Sequence, residues 1–325
     1  MYIIRALLAS LFLFASTLAA SAQVMNRPGS LLVYPLVDNS PGSLQLLTIT
    51  NTNLSTSGAR GSVRVEFWFV EGATCARTTT AYTLTPGDTL TINTRFAAPS
   101  IVTGYAYAYA TTSTGAPVSF NHLAGASFAA SASGAAYEAH PFVFRASQPE
   151  GQLTNLDLDT VRDLNGSEYE GCPAEVVIPR FLASDGVRSI PRVAMVSLVG
   201  EQFDVIVNFY LFNDNEESFA VQTQFQCHRF TRLDFVSPAF SNSFLASTNH
   251  SQVEPEGLGL ETGWYKAIGS VAFSTDLTIT GPPILVAHFD TGTVGGLHRS
   301  SPLPYGIGLR NNGDLGVLGP FGDQN

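Results

Sequence analysis

Apolar and polar residues alternate in short runs along most of the chain, and turn-forming residues cut the runs. Leu31-Leu32-Val33-Tyr34, Leu44 to Thr50, Val63 to Val70, Thr78 to Leu84 and Thr89 to Thr94 are rich in Val, Thr, Leu, Phe and Tyr. Asn39-Ser40-Pro41-Gly42 and Thr85-Pro86-Gly87-Asp88 separate some of them. Such runs, bounded by Gly, Pro, Asn and Asp, predict β-strands. In Val63-Arg64-Val65-Glu66-Phe67 the apolar side chains share one face and Arg64 and Glu66 the other, as in an antiparallel strand with one wet face. Past the N-terminal segment no stretch holds a 3.6-residue apolar stripe over the roughly 10 to 12 residues a helix needs. The expected fold class is all-β.

Four pairs of segments recur in the same chain order. Leu32-Val33-Tyr34-Pro35 matches Val176-Val177-Ile178-Pro179, and Val63-Arg64-Val65-Glu66-Phe67-Trp68 matches Val205-Ile206-Val207-Asn208-Phe209-Tyr210. Thr103-Gly104-Tyr105 matches Thr262-Gly263-Trp264, and the run Gly115 to Leu123 matches Gly281 to Phe289, aligning His122 with His288. The pattern predicts two tandem, internally duplicated antiparallel β-sandwich domains, 23–147 and 172–325, joined by an acidic linker, 148–171. Units of this size with short strands and Gly/Pro turns fit an immunoglobulin-like or a jelly-roll-like arrangement. Thr48-Ile49-Thr50-Asn51-Thr52-Asn53, following an apolar opening strand, is similar to immunoglobulin-like modules of exported bacterial proteins. That resemblance covers a few strands and brings no functional residues with it.

The N-terminal segment is of another kind. Arg5 precedes an apolar stretch, Ala6 to Ala20, and Ala20-Ser21-Ala22 supplies small residues of the type signal peptidase cuts after. Residues 1–22 are therefore expected to be a signal peptide cleaved before Gln23. No later apolar stretch has the roughly 20 residues needed to span a bilayer, so the mature chain is expected to be secreted or periplasmic.

Charge narrows the partners. Only 13% of residues are charged, about half the roughly 25% of an ordinary soluble domain, yet the apolar content is too high for disorder. A net charge of −10 disfavours nucleic acid and anionic membrane surfaces. A glycan or another surface protein fits better.

Candidate chemistry is sparse. Tyr105, Tyr107 and Tyr109 alternate with alanines, so their rings share one strand face at roughly 6.5–7 Å spacing. Exposed, they would form a carbohydrate platform together with Trp264; packed inward, they would fill a core. His122 and His288 suit half-buried structural imidazoles, since the two copies do not share partners and Asp290 beside His288 corresponds to Ala124 in the same alignment. Asp157, Asp159, Asp163 and Glu168 fall where a calcium loop would place ligands, but Val161 and Arg162 break an EF-hand register. A looser calcium site and a solvated acidic linker both remain open, and no other cofactor is expected. Of the three cysteines, Cys172 and Cys227 share one half and are the expected disulfide pair, with Cys75 left over.

Two small-residue stretches, Ala124 to Ala136 and Thr291 to Ser301, suggest mobile tips. Neither a Gly-x-Ser-x-Gly elbow nor a His-Glu-x-x-His motif is present, and the only lysine is Lys266. The expected function is an exported, non-enzymatic structural or recognition protein, associated with the cell surface or extracellular matrix. The alternatives are a carbohydrate-binding module protein or a secreted hydrolase acting on glycans.

Overall fold

The computed structural model describes residues 27–55, 61–130, 136–200, 202–248, 259–291 and 304–316. The expected signal peptide, 1–22, lies outside the described residues, as do 131–135 and 292–301 of the two expected mobile tips. The protein is all-β, with several antiparallel sheets and no barrel.

In the first half the chain runs through β1 (Leu31–Asp38), β2 (Leu44–Asn51), β3 (Val63–Glu71), β4 (Arg77–Leu84), β5 (Thr89–Asn93), a one-turn helix α1 (Thr94–Ala97), β6 (Thr103–Thr111), β7 (Leu123–Ala130), β8 (Ala136–Ala139) and β9 (Phe142–Phe144). These pair as β4-β3-β6-β1-β9 and β5-β2-β7-β8. Residues 124–130, expected in a mobile tip, form most of β7. After β10 (Val161–Leu164) come β11 (Glu175–Leu182), β12 (Ile190–Ser197), β13 (Asp204–Asn213), β14 (Ser218–Phe225) and β15 (His228–Arg232). Short helices α2 (Leu233–Val236) and α3 (Asn242–Thr248) lead to β16 (Thr262–Phe273), β17 (Thr278–Thr280), β18 (Ile284–Thr291), β19 (Tyr305–Ile307) and β20 (Gly313–Gly316). Their sheets are β14-β13-β16-β11-β19, with β17 beside β16, and β15-β12-β18, while β10 pairs with β20.

The strand orders of the two halves run in parallel, and so do local irregularities. The register of β1 against β6 slips between Tyr34 and Val37, and that of β11 against β16 slips between Ile178 and Phe181. Each slip holds a proline, Pro35 or Pro179, which has no N–H for the ladder and belongs at such an irregularity. Through these ladders Phe67 and Phe209 fall at corresponding positions, as do Gly104 and Gly263. Helices α1 and α2 each follow the corresponding strand, β5 or β15, directly.

The histidine alignment fails. The pairing of β2 with β7 and of β12 with β18 sets Leu123 against Ile284, so His288 corresponds to Ser127. His122 sits in the turn before β7, with a half-exposed side chain, and His288 is buried inside β18. The ungapped match had aligned a turn with a strand.

The buried apolar residues form three clusters, each drawn from more than one sheet. Leu32, Tyr34, Leu47, Ile49, Phe67 and Phe69 belong to the core between the two first-half sheets. Val176, Ile178, Met195, Phe209, Tyr265 and Val286 do the same in the second half. The third core lies between the halves, where Tyr105, Tyr107 and Tyr109 meet Ala194, Val196 and Phe289.

One expectation about the junction is refined and one is corrected. In the stretch 148–171, residues 149–153 and 156–158 are exposed, whereas Arg162, Asp163, Glu168 and Tyr169 are buried and β10 is held by β20. The disulfide joins Cys75 to Cys227, with a Cα–Cα distance of 5.7 Å, not Cys172 to Cys227. Cys227 ends the β14–β15 turn, on the side that meets the first half, whereas Cys172 is buried against Gly313 and Leu164 near the β10–β20 ribbon. The bond therefore crosses between halves over 152 residues of sequence. Cys75→Ser is expected to lower the free energy of unfolding by about 2–4 kcal/mol in urea titration, and peptide mapping without reductant should return Cys172 as the free thiol.

Candidate functional site

The tyrosine face is the most organised feature of the molecule, and it is closed. Tyr105, Tyr107 and Tyr109 on β6 are buried, because the second-half sheet β15-β12-β18 lies over them. Their rings stack in series at 6.4 and 6.3 Å between centroids, and Trp68 from β3 lies nearly parallel to Tyr107. At one end Tyr105 contacts the His228 ring, and at the other the Arg162 guanidinium stands 5.3 Å over Tyr109. Burial pushes the hydroxyls of Tyr105 and Tyr109 up to about 12. His228 Nε2 donates to the Pro35 carbonyl at 3.0 Å, and burial draws its pKa down to about 4. These rings hold the halves together and are not a carbohydrate platform. Of the four residues expected to bind sugar, only Trp264 reaches solvent, 37% exposed and stacked on Phe212 at 4.2 Å.

His288 forms the centre of a buried polar chain. Tyr265 Oη lies 3.1 Å from Nδ1, Nε2 lies 2.9 Å from Asp290 Oδ1, and Arg180 Nη2 reaches Asp290 Oδ2 at 3.2 Å. With Tyr265 donating to Nδ1 and the Nε2–H donating to Asp290 Oδ1, both ring nitrogens of His288 are satisfied. The arrangement resembles a proton relay, but Tyr265, His288 and Asp290 are each sealed from solvent. It joins β16 to β18 across the second core. Sequence spacing showed Asp290 beside His288; Tyr265, from another strand, left no local signal.

The acidic segment converges in part. Carboxylate oxygens of Asp157, Asp163 and Glu168 lie within 4.8 Å of one another. Asp159 is outside that group, its Oδ1 accepting from Val161 N at 2.7 Å. Asn165 Oδ1 caps the turn by accepting from Ser167 N and Glu168 N. Calcium takes six to eight oxygens, and here the fit is incomplete. Both Glu168 oxygens already accept backbone N–H bonds, from Leu156 and Asp163, and the positive charge of Arg162 acts on the same carboxylate. Burial raises Glu168 to about 7, and burial with Asp163 and its neighbours raises Asp314 to about 7.

A shallow cleft of about 400 Å³ is lined by Ser184, Asp185, Asp234 and Ser241 among others. A glycosidase needs one carboxyl with a raised pKa as its acid. Both acids here are held low. Asp185 is down to about 2 through N–H donors from Ser189, Val187 and Arg188, and Asp234 is lowered by Arg232 and Ser184. Among the described residues no helix is long and apolar enough to cross a membrane. Comparison with protein-family models, curated proteins and solved structures finds no match to this chain.

Two measurements check this reading. Tyr107→Ala is expected to cost about 3–5 kcal/mol of stability in denaturant, the range for truncating a large buried ring. Glu168 and Asp314 bind protons more tightly folded than unfolded. Their contribution is therefore full below about pH 4 and lost as pH rises through 7. Asp314→Asn should flatten that decline by on the order of 2 kcal/mol, read from melting curves between pH 4 and 8.

Proposed function

We propose that the chain is an exported, non-catalytic scaffold protein built from two related β-sandwich modules, one ancestral module having been copied in tandem. The supporting observation is that the two halves agree in strand order, in the proline-bearing slip of β1 and β11, and in the helix after β5 and β15. Each half also has an apolar core between its two sheets, as a sandwich requires. The immunoglobulin-like description rests on less, namely the short strands and the opening-strand resemblance.

Export is supported by the N-terminal sequence and by the Cys75–Cys227 pairing, since disulfides persist in oxidising compartments. A non-catalytic role is supported by where the polar chemistry lies. The His288 chain ties two strands, the tyrosines seal the junction, and the cleft carboxyls are poor acids at neutral pH. Carbohydrate binding is the second reading, and the exposed Trp264 is the observation that favours it. Expression with the leader intact is expected to yield a secreted or periplasmic product whose N-terminus, by intact mass, begins at Gln23. Retention of residues 1–22 would refute export by a cleaved signal.

A further inference from the structure

The four layers have an order, and among the described residues that order leaves two sheet faces open. The first half presents the outer face of β4-β3-β6-β1-β9 to the outer face of β15-β12-β18. The counterpart of the first face is the outer side of β14-β13-β16-β11-β19. The ladders place Tyr210 where Trp68 stands, Trp264 where Tyr105 stands, and Tyr305 and Ile307 where Phe142 and Phe144 stand. These four side chains are 38%, 37%, 61% and 53% exposed. The counterpart of the second face is the outer side of β5-β2-β7-β8. There Ala124, Ala126 and Phe128 stand where Leu285, Ala287 and Phe289 lie buried, and Phe128 and Leu44 are 43% and 41% exposed.

We propose that a second copy of this chain docks its β5-β2-β7-β8 face on the exposed β14-β13-β16-β11-β19 face, repeating between chains the contact that joins the two halves. The inference rests on the duplicated-module reading. Its occupant follows from continuity: a copy laid on this face continues the layer order of the established junction, and a copy at the other end does the same. The contact is heterologous, so it propagates into open filaments unless the rotation closes a ring.

The surfaces also explain why the contact between chains is weaker than the one within a chain. Lys266, paired with Glu175, stands in the position of Tyr107, so an ion pair interrupts the outer face where the junction face carries the middle ring of its tyrosine stack. The disulfide has no counterpart. Cys227 directly precedes β15 and corresponds to Asp88 before β5, while Cys75 corresponds to Glu216, both with positive φ in their turns. Two carboxylates replace a covalent bond, and the association is therefore reversible.

That correspondence supplies the test. Asp88→Cys and Glu216→Cys proteins are prepared separately, mixed, and exposed to oxidised glutathione. The proposal expects a mixed disulfide containing one chain of each, several-fold in excess over either like-with-like dimer. Like-with-like dimers in equal yield, or no dimer, would overturn it. Sedimentation of the unsubstituted protein provides a second readout independent of cysteine chemistry. Its mean mass is expected to rise with concentration and to fall back to monomer in Trp264→Glu, whose side chain is already exposed. A monomer at all concentrations overturns the inference. So does a monomer that a glycan array retains through Trp264, since the face would then serve a sugar. Superposition of the two halves in a crystal structure of the protein decides the module reading separately, so a monomer with superimposable halves refutes the docking alone.

Discussion

The stacking of a sheet face made of tyrosines against a neighbouring sheet is the constraint on which the rest of the molecule depends. The rings on β6 bury large areas of apolar surface, roughly 150–250 Å² for an aromatic side chain, and they do so between halves rather than within one. Once that face is closed, His228 must lie neutral against the Pro35 carbonyl and Arg162 must lie over Tyr109. The acidic residues of 157–168 then gather beside a guanidinium that cannot leave. The polar features of the junction are consequences of covering one aromatic face.

Much of the fold could be read in the sequence because strand chemistry is local. Val63 to Phe67 alternates in the letters and alternates in burial along β3. Three of the four repeated segment pairs occupy corresponding ladder positions, because a short apolar run with a fixed proline or glycine keeps its register. The fourth pair did not, since glycine, proline and histidine recur readily at turn entrances and an ungapped comparison cannot tell a turn from a strand. Ser127, which the ladders set at the position of His288, carries no resemblance that letters could show.

What escaped the sequence was long-range. Alternating tyrosines identify one face of β6 but not whether water, its own half or the other half of the chain covers it. Cysteine pairing by proximity in sequence chose Cys172, while the partner of Cys227 lies in the other half. The acidic run leaves both a calcium site and a solvated linker open, because four carboxylates in so short a stretch suit either. The burial of Asp163 and Glu168 follows from the pairing of β10 with β20, whose residues Gly313–Gly316 lie far along the chain and have no recognisable link to β10 beforehand.

The β10–β20 ribbon has a consequence for how the chain comes apart. It binds the segment between the halves to a strand near the end of the described chain, with Asp163 opposite Asp314. Opening the ribbon frees the connecting segment from the second half and uncovers Arg162, which stands over Tyr109 of the first. Fraying at β20 is thereby transmitted to the middle of the chain, which couples local opening of the second half to loosening of the junction.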